Sequence, residues 1–413
     1  MKNQEWKTGA FLIDRFLELD DWRTVEITDD VPFGIQKACP ADDMELIPLC
    51  TLVGNNGNKT LRIGSCPSCG YVGYIDRPMK SWINKFYAET WDNAARINGE
   101  AEAAARREEF AKNGFDGFSN VRANQLERFL RQYTFSKDKP VLEIGCGYGT
   151  SLKFLEKLGF SKLYGIETSR HRAKIASRAY DLQVFTGAFE DSQVQQSCRK
   201  LAPFGLITSH HVMEHVFNPG EVIRLASGLQ EEGGHLVISL PNSKGEPSMQ
   251  TIVYWPHLHS FTKESFARLL QRYGYEVLDD SFTVKRELFF LARKRGDSGK
   301  KYESAGDNNE WVRSKFFNAL GVDVDYRFLR RRLWWYRPLG IDHGGQIPFF
   351  EIPVLDGAHY ALRIAMDKLT RKKRKKVERT QSCLVRDVTR RYTPPSECPM
   401  EIQFEGNILM TYK

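Results

Sequence analysis

The stretch VLEIGCGYGTSLKFL, residues 141–155, indicates the fold of this chain more clearly than any other segment. Its apolar beginning is typical of a buried strand, and from Thr150 onward its apolar residues follow helical spacing. Three glycines occupy the turn in between, at Gly145, Gly147 and Gly149. Without a Cβ the backbone can turn tightly and approach a ligand, and the helix N-terminus adds free N–H groups. The stretch therefore predicts a strand, a ligand-binding turn and a helix.

Strands and helices alternate on the C-terminal side of this stretch. Predicted strands cover residues 162–167, 205–210 and 235–241, and predicted helices cover 170–179, 220–229 and 261–273. Helices of this length between strands are typical of a parallel sheet with crossover connections. Two further strand-like runs, EVLDD and ELFFLARK, follow the last helix and are expected to close the sheet. The pattern predicts an α/β fold.

The composition indicates a globular chain of more than one domain. The 413 residues include 60 Lys or Arg and 52 Asp or Glu, and 41% of them are apolar. These proportions exclude a mostly disordered chain, and the length suggests two or three domains. No apolar stretch approaches the ~18 residues of a membrane-spanning helix, and the N-terminus lacks the apolar core of a signal peptide. We therefore expect a soluble, cytoplasmic protein.

Changes in composition divide the chain into five predicted segments. They are an N-terminal lobe at 1–80, a helical connector or lid at 81–135, a core at 136–295, a linker at 296–310 and a basic extension at 311–413. Residues 301–413 hold 21 Lys or Arg against 14 Asp or Glu, so they carry +7 of the total charge of +8. An anionic partner is therefore expected to meet the C-terminal part.

Two acidic residues near the glycine turn indicate that its ligand contains a ribose. Glu143 lies two positions before the first glycine, and Glu167 ends the next predicted strand, 24 residues later. A carboxylate at such a strand end can accept hydrogen bonds from both hydroxyls of a ribose. The pattern Glu-x-Gly-x-Gly-x-Gly resembles the first motif of the class I S-adenosylmethionine-dependent methyltransferases, and the position of Glu167 agrees with that resemblance.

Two further segments extend the resemblance. GAFED, 187–191, is similar to the turn that lies against the adenine in that family, and it has Ala188 where an acidic residue is common. The adenine amino group would then be bound by Glu190, by Asp191 or by the backbone. FGLITSHHVMEHVFNP, 204–219, resembles the branch that includes ubiquinone-type O-methyltransferases and sugar methyltransferases.

The resemblance covers about residues 138–293 and implies a seven-stranded, Rossmann-like methyltransferase core that binds S-adenosylmethionine. It implies the cofactor-binding residues Tyr87, Glu143, Gly145, Cys146, Gly147, Gly149, Glu167, Phe189 and His210. In this set Tyr87 would close over the methionine end of the cofactor, and Phe189 would pack on the adenine. For both aromatic side chains, packing in the core is the alternative.

Methyl transfer to a hydroxyl requires an aligned acceptor and a group that takes its proton. His215 is the leading candidate for this base, with Glu214 beside it, because imidazole titrates near neutral pH. A structural role and a metal-binding role for the Glu214–His215 pair are the alternatives. His257 and His259 are second-rank candidates, for which an ordinary position in a loop is the simpler interpretation.

The N-terminal lobe contains half of a zinc site. Cys66 and Cys69 form a Cys-x2-Cys pair, and a complete structural site needs four ligands. The upstream partners would be Cys39 and Cys50, whose separation departs from the usual spacing. A metal-free remnant of a zinc lobe is therefore the alternative to bound zinc. With no secretion signal in the sequence, we expect the eight cysteines to be reduced.

The sequence thus predicts an S-adenosylmethionine-dependent methyltransferase that acts on a small-molecule acceptor, with a hydroxyl of a sugar or glycan precursor as the leading class. The run RKKRKK, 371–376, raises two alternatives. One is an RNA methyltransferase, and the other is a non-catalytic scaffold of the same fold that binds nucleic acid through this run. A solvated helix end explains the run more simply, so a nucleic-acid partner is the less favoured interpretation and stays open.

Overall fold

The computed structural model describes residues 32–54, 60–90, 99–113, 120–245, 252, 257–281, 287–295, 311–312, 399–404 and 407–411. The chain divides into two compact units. The first unit consists of residues 30–48 and 62–311, and the second consists of residues 1–29, 49–61 and 312–413.

The strands of the described residues are β1 (Phe33–Ile35), β2 (Ile47–Gly54), β3 (Thr60–Ser65), β4 (Val72–Tyr74), β5 (Asp76–Pro78), β6 (Val141–Ile144), β7 (Leu163–Glu167), β8 (Gln183–Thr186), β9 (Leu206–His210), β10 (His235–Pro241), β11 (His259–Ser260), β12 (Tyr275–Asp279), β13 (Glu287–Lys294), β14 (Pro399–Phe404) and β15 (Asn407–Thr411). The helices are α1 (Lys80–Lys85), α2 (Gly99–Asn113), α3 (Asn120–Gln132), α4 (Thr150–Lys157), α5 (Arg170–Tyr180), α6 (Ser192–Leu201), α7 (Pro219–Gly228) and α8 (Lys263–Arg272). A π-helical turn, Phe86–Thr90, continues α1.

The core of the first unit is a seven-stranded sheet with the order β12-β13-β10-β9-β6-β7-β8. The strands β6 to β10 run parallel, whereas β13 pairs antiparallel with both β10 and β12. The chain starts in the middle of the sheet at β6, moves outward through β7 and β8, and then crosses to β9. The predicted Rossmann-like α/β core with seven strands is therefore confirmed.

Helix boundaries differ from the predicted ones where a cap decides them. The last core helix begins at Lys263, two residues later than predicted, because Thr262 and Ser265 form a capping box at its N-terminus. Helix α6 was not predicted at all. Its sequence, SQVQQSCRKL, carries few apolar residues, so its periodicity is weak, although its inner face is buried.

The N-terminal part of the first unit forms short strands. Strand β1 pairs antiparallel with β5. Strand β4 pairs antiparallel with β3 on one side and with β11 on the other. Because β11 precedes α8, this small sheet brings the cysteine-rich segment next to the chain that leads into the last core helix.

In the second unit, β2 pairs antiparallel with β14, and β14 pairs antiparallel with β15. Both β14 and β15 belong to the basic extension at 311–413. The predicted linker 296–310 and the basic run 371–376 lie outside the described residues. Among the helices of the described part, none combines the length and the apolar character needed to cross a membrane.

Candidate active site

A cavity of about 380 Å³ opens at the carboxyl ends of β6, β7 and β9. Side chains from α1, the π-helical turn and α3 line its other side. In parallel sheets the crevice beside the strand at which the order reverses is the usual place for a ligand. Here that strand is β6, which is followed directly by the glycine turn.

The three glycines of the turn have φ angles in the left-handed region, 72° at Gly145, 55° at Gly147 and 78° at Gly149. A Cβ at Gly145 would lie 2.4 Å from Cγ2 of Val212, and a Cβ at Gly149 would lie 2.5 Å from Cδ1 of Leu182. At Gly147, which lines the cavity, no atom of the described residues lies within 4 Å of that position. Gly147 therefore leaves room for a ligand, whereas the other two glycines permit close packing.

Glu167 lines the cavity with a carboxylate whose position is fixed by the backbone. Its Oε2 accepts a hydrogen bond from the N–H of Gly147, and its Oε1 accepts one from the N–H of Ser169, both at 2.8 Å. Each carboxylate oxygen has a further lone pair that can accept a hydrogen bond. The arrangement suits a pair of adjacent hydroxyls, such as those of a ribose.

Glu143 and Cys146 lie on the sheet side of the cavity and are both buried. Burial raises the pKa of Glu143 to about 8 and raises the pKa of the Cys146 thiol well above its ordinary value. Both side chains are therefore mainly uncharged near pH 7. A protonated Glu143 can donate a hydrogen bond into the cavity as well as accept one.

The turn after β8 presents Phe189 and Glu190 to the cavity. The Asp191 carboxylate turns back and accepts a hydrogen bond from the N–H of Ala188 at 2.9 Å. Burial raises the pKa of Glu190, whose carboxylate lies 3.8 Å from Nζ of Lys80. Of the two acidic candidates for the adenine, Glu190 therefore faces the cavity, and Asp191 stabilises the turn.

His210 ends β9, His211 follows it directly, and both line the cavity. Nδ1 of His210 lies 2.9 Å from Oγ of Ser239, and burial lowers the pKa of this imidazole to about 3. His211 has a φ of 53°, and its two ring nitrogens lie near Glu214 and Glu287. Although burial opposes protonation of His211, the hydrogen bonds to these two carboxylates raise its pKa.

The predicted base, His215, lies in the same cavity as the glycine turn. Its Nδ1 lies 2.8 Å from the hydroxyl of Tyr87, and its Nε2 lies 3.7 Å from Oε1 of Glu214. Glu214 is only 1% exposed. Burial raises the pKa of Glu214, but the charge of His215 and a hydrogen bond from His211 lower it to about 2. His215 can therefore act as a base whose protonated form is stabilised by the carboxylate of Glu214.

The second-rank histidines lie in different surroundings. The ring of His257 is centred 4.7 Å from that of His215, and ligand atoms of Glu214, His215 and His257 all lie within 4.8 Å of one another. This geometry also suits the metal-binding interpretation. His259 is buried, with Nδ1 2.5 Å from the Tyr71 hydroxyl and Nε2 near a main-chain carbonyl. His259 is not among the described residues that line the cavity.

Two residues that the sequence did not single out contribute to the site. Arg122, on α3, lines the cavity, and its Nε lies 3.2 Å from Oε1 of Glu287 on β13. A guanidinium at this place can bind the carboxylate of an amino-acid ligand. Sequence patterns do not mark either residue, because charged residues are common on helices and at strand ends.

A second cluster lies in the N-terminal part of the first unit. Ligand atoms of Cys39, Asp42, Cys66 and Cys69 all lie within 4.8 Å of one another. Sγ of Cys39 lies 3.5 Å from Sγ of Cys69, so these residues are free thiols, and the Cys66 thiol lies 3.3 Å from Oδ1 of Asp42. Cys50 lies on β2, and its side chain is outside the described part.

Comparisons with known proteins agree with this geometry. Residues 118–280 match the sequence profile of a family described as a methyltransferase domain. The chain is 26% identical over 126 residues to a ubiquinone biosynthesis O-methyltransferase of Coxiella burnetii, and the match covers 30% of this chain and 53% of that protein. It is 27% identical over 161 residues to the enzyme of the same name from Nitrosococcus oceani, and this match covers 36% of the chain and 66% of that protein. The chain therefore spans about half the length of the first of these relatives.

Among solved structures, an S-adenosylmethionine-dependent methyltransferase from Clostridium acetobutylicum is similar to the chain, with a TM-score of 0.36 and 12% identity. That match covers 48% of this chain and 100% of the solved one.

Proposed function

We propose, from the match of residues 118–280 to a methyltransferase-domain family, that the chain moves a methyl group from S-adenosylmethionine to a hydroxyl of a small molecule. The observation that carries this proposal is one cavity in which the glycine turn and Glu167 meet the Tyr87–His215 pair. A cofactor site and a proton acceptor in the same cavity are the two requirements of the reaction.

The residues of the cavity fit the cofactor at several points. Glu167 would accept hydrogen bonds from the ribose hydroxyls, and the open space at Gly147 would admit the ligand close to the backbone. Phe189 would pack on the adenine, and Arg122 would pair with the amino-acid carboxylate. When bound, the cofactor supplies an electrophilic methyl group on a positively charged sulfur.

His215 takes the acceptor proton in this proposal. If the hydroxyl of Tyr87 donates to Nδ1, the ring proton lies on Nε2 and faces Glu214. An acceptor hydroxyl would replace the Tyr87 hydroxyl at Nδ1 and give its proton to that nitrogen. The acceptor oxygen forms a bond to the methyl carbon as the carbon–sulfur bond breaks, and S-adenosylhomocysteine is the second product. The Glu214 carboxylate stabilises the resulting imidazolium.

A hydroxyl of a sugar or glycan precursor is the first acceptor class that we propose to test. The Glu-His-Val segment supports it through its resemblance to sugar methyltransferases. The two curated relatives are named for O-methylation in ubiquinone biosynthesis, which supports oxygen as the acceptor atom. Phenols are therefore the second class.

The function is tested with purified protein. Wild-type chain should bind S-adenosylhomocysteine, measured by calorimetry, and should methylate a hydroxyl in an acceptor panel. His215→Ala should lower turnover by about 100-fold or more while leaving the S-adenosylhomocysteine affinity nearly unchanged, because proton transfer contributes in this range. His171→Ala, which removes a histidine paired with Glu102 outside the cavity, is the matched control.

Failure of the wild-type chain to bind S-adenosylhomocysteine contradicts the cofactor assignment. If His215→Ala weakens that binding as much as it lowers turnover, His215 has a structural role instead.

We also propose that the N-terminal lobe, residues 1–80, holds a structural zinc ion with Cys39, Asp42, Cys66 and Cys69 as ligands. Zinc prefers thiolates and accepts carboxylate oxygen, and tetrahedral Zn–S bonds of about 2.3 Å place two sulfurs about 3.8 Å apart. The distance of 3.5 Å between Sγ of Cys39 and Sγ of Cys69 fits this geometry. Bound zinc would join the two segments that carry these ligands.

Zinc content measured by mass spectrometry tests this ligand set. We expect about one zinc per chain in the wild type and loss of zinc in Asp42→Ala and Cys69→Ser, since four ligands complete a structural site. Cys50→Ser should retain zinc, because Asp42 takes the fourth position. Loss of zinc in Cys50→Ser together with retention in Asp42→Ala would show that the ligand set is Cys39, Cys50, Cys66 and Cys69.

A further inference from the structure

Glu287, the first residue of β13, contacts an imidazole and a guanidinium through one carboxylate oxygen. Its Oε1 lies 3.1 Å from Nε2 of His211 and 3.2 Å from Nε of Arg122. The residue is 9% exposed, and it is not among the described residues that line the cavity. Its two partners do line the cavity, so Glu287 contacts two lining residues without lining the cavity itself.

The contact continues from His211 to the proposed base. Nδ1 of His211 lies 3.2 Å from Oε1 of Glu214, and the same oxygen lies 3.7 Å from Nε2 of His215. His215 in turn contacts the hydroxyl of Tyr87. The result is a continuous row of alternating basic and acidic groups that runs from Arg122 to the proposed acceptor position.

Two features hold His211 in this row. Its main-chain N–H donates to the carbonyl of Ser239 at 2.9 Å, and its φ of 53° turns the chain sharply after β9. Nε2 of His211 is hydrogen-bonded to Glu287, and Nδ1 lies 3.2 Å from Oε1 of Glu214, which has no other hydrogen-bond partner among the described residues. Rotation of the His211 ring would therefore break its contact with Glu287 and move Nδ1 away from Glu214.

We propose that Glu287 is a positioning residue for the methyl transfer, which acts through His211 and Glu214 to orient His215 and through the same oxygen to orient Arg122. The inference rests on the proposed function of this cavity. It differs from a purely stabilising ion pair, because a positioning role requires that changes at Glu287 and at Glu214 affect the same step. The effects of the two substitutions on the activation free energy would add if the residues acted independently, but would not add if both act through the same row of contacts.

The test compares Glu287→Gln, Glu214→Gln and the double variant. Gln keeps the shape of the side chain and removes its charge. We expect Glu287→Gln to lower kcat by about 10-fold, less than the full contribution of about 10²- to 10⁴-fold from proton transfer, because His215 itself remains in place. The S-adenosylhomocysteine affinity should fall by a smaller factor, since Gln can still accept a hydrogen bond from Arg122. The double variant should have nearly the kcat of Glu214→Gln alone.

Glu276→Gln is the matched control. Glu276 lies on β12, the neighbour of β13, and its Oε2 lies 3.0 Å from Nη2 of Arg293, so the variant removes an ion pair of the same sheet away from the cavity. Its kcat should equal that of the wild type. His211→Gln cuts the row at the next position and serves as the second variant if Glu287→Gln does not fold.

Nuclear magnetic resonance of the ¹⁵N-labelled histidine rings tests the row without any reaction. In ligand-free protein the ring signals of His215 should move in Glu287→Gln and remain in place in Glu276→Gln. Unchanged His215 signals, or a loss of kcat in the double variant equal to the product of the single losses, overturns the positioning role. Absence of S-adenosylhomocysteine binding in the wild type counts against the proposed function alone, and the histidine signals then still decide the positioning role.

Discussion

Gly147→Ala and Gly149→Ala place the same methyl group two residues apart in the glycine turn, and their effects should differ in kind. Both positions have φ in the left-handed region, where an L-residue loses about 1–2 kcal/mol relative to glycine. At Gly149 the new Cβ also lies 2.5 Å from Cδ1 of Leu182 and 3.1 Å from Cβ of Ala176. Overpacking of this kind adds about 1–3 kcal/mol, so Gly149→Ala should lower the unfolding free energy by roughly 2–5 kcal/mol.

Gly147→Ala should affect the ligand more than the fold. The new methyl group meets no atom of the described residues within 4 Å and projects into the space that we assign to the cofactor. Its unfolding free energy should therefore fall only by the backbone contribution of about 1–2 kcal/mol. Overpacking costs a protein core about 1–3 kcal/mol. If the clash with the new methyl group costs the bound ligand the same free energy, the S-adenosylhomocysteine affinity falls by roughly 5- to 150-fold.

The assays are urea unfolding of the ligand-free protein and calorimetric titration with S-adenosylhomocysteine. Folded Gly149→Ala should bind the ligand nearly as the wild type does. The reasoning is refuted if Gly147→Ala binds with wild-type affinity, or if the two variants change stability and affinity in the same proportion. Either result would place the ligand away from Gly147.

Two further predictions concern buried polar groups. Because burial raises the pKa of Glu143 from its ordinary value to about 8, the folded chain binds this proton more tightly than the unfolded chain does. That contribution to the unfolding free energy is full below about pH 4.5 and is lost as the pH rises towards 8. Gln does not titrate, so in Glu143→Gln the unfolding free energy should decrease less between these pH values than in the wild type. Urea unfolding at several pH values measures the difference. Tyr71→Phe removes the hydroxyl that contacts both His259 and Arg77 and should lower the unfolding free energy by about 1–3 kcal/mol, because buried polar groups lose a partner. An unchanged midpoint of thermal unfolding in Tyr71→Phe would show that these two groups find other partners.

The features that sequence patterns predicted are local ones. The strand, turn and helix at 141–155 lie within fifteen consecutive residues, and the glycine spacing reflects backbone angles that few other residues adopt. Strand–helix alternation likewise depends on short-range periodicity, which is why an α/β core with a parallel sheet could be predicted, whereas its seven strands were implied by the family resemblance. Helix α6 was missed for the same reason, since its apolar residues are too few to form a periodic pattern.

Contacts between distant parts of the chain were decided by packing instead. Tyr87 and His215 are 128 residues apart and both line the cavity, and Arg122, which also lines it, contacts Glu287, 165 residues away. Asp42 lies with Cys39, Cys66 and Cys69 because of the way the N-terminal segment folds, and its type and spacing did not mark it as a ligand candidate. Backbone angles and short-range periodicity are encoded by neighbouring residues and can be recognised in one sequence. Contacts between distant residues are selected by the burial of the sheet and its helices as a whole. Only the tertiary structure therefore brings the proposed base His215 together with Glu214, Glu287 and Arg122.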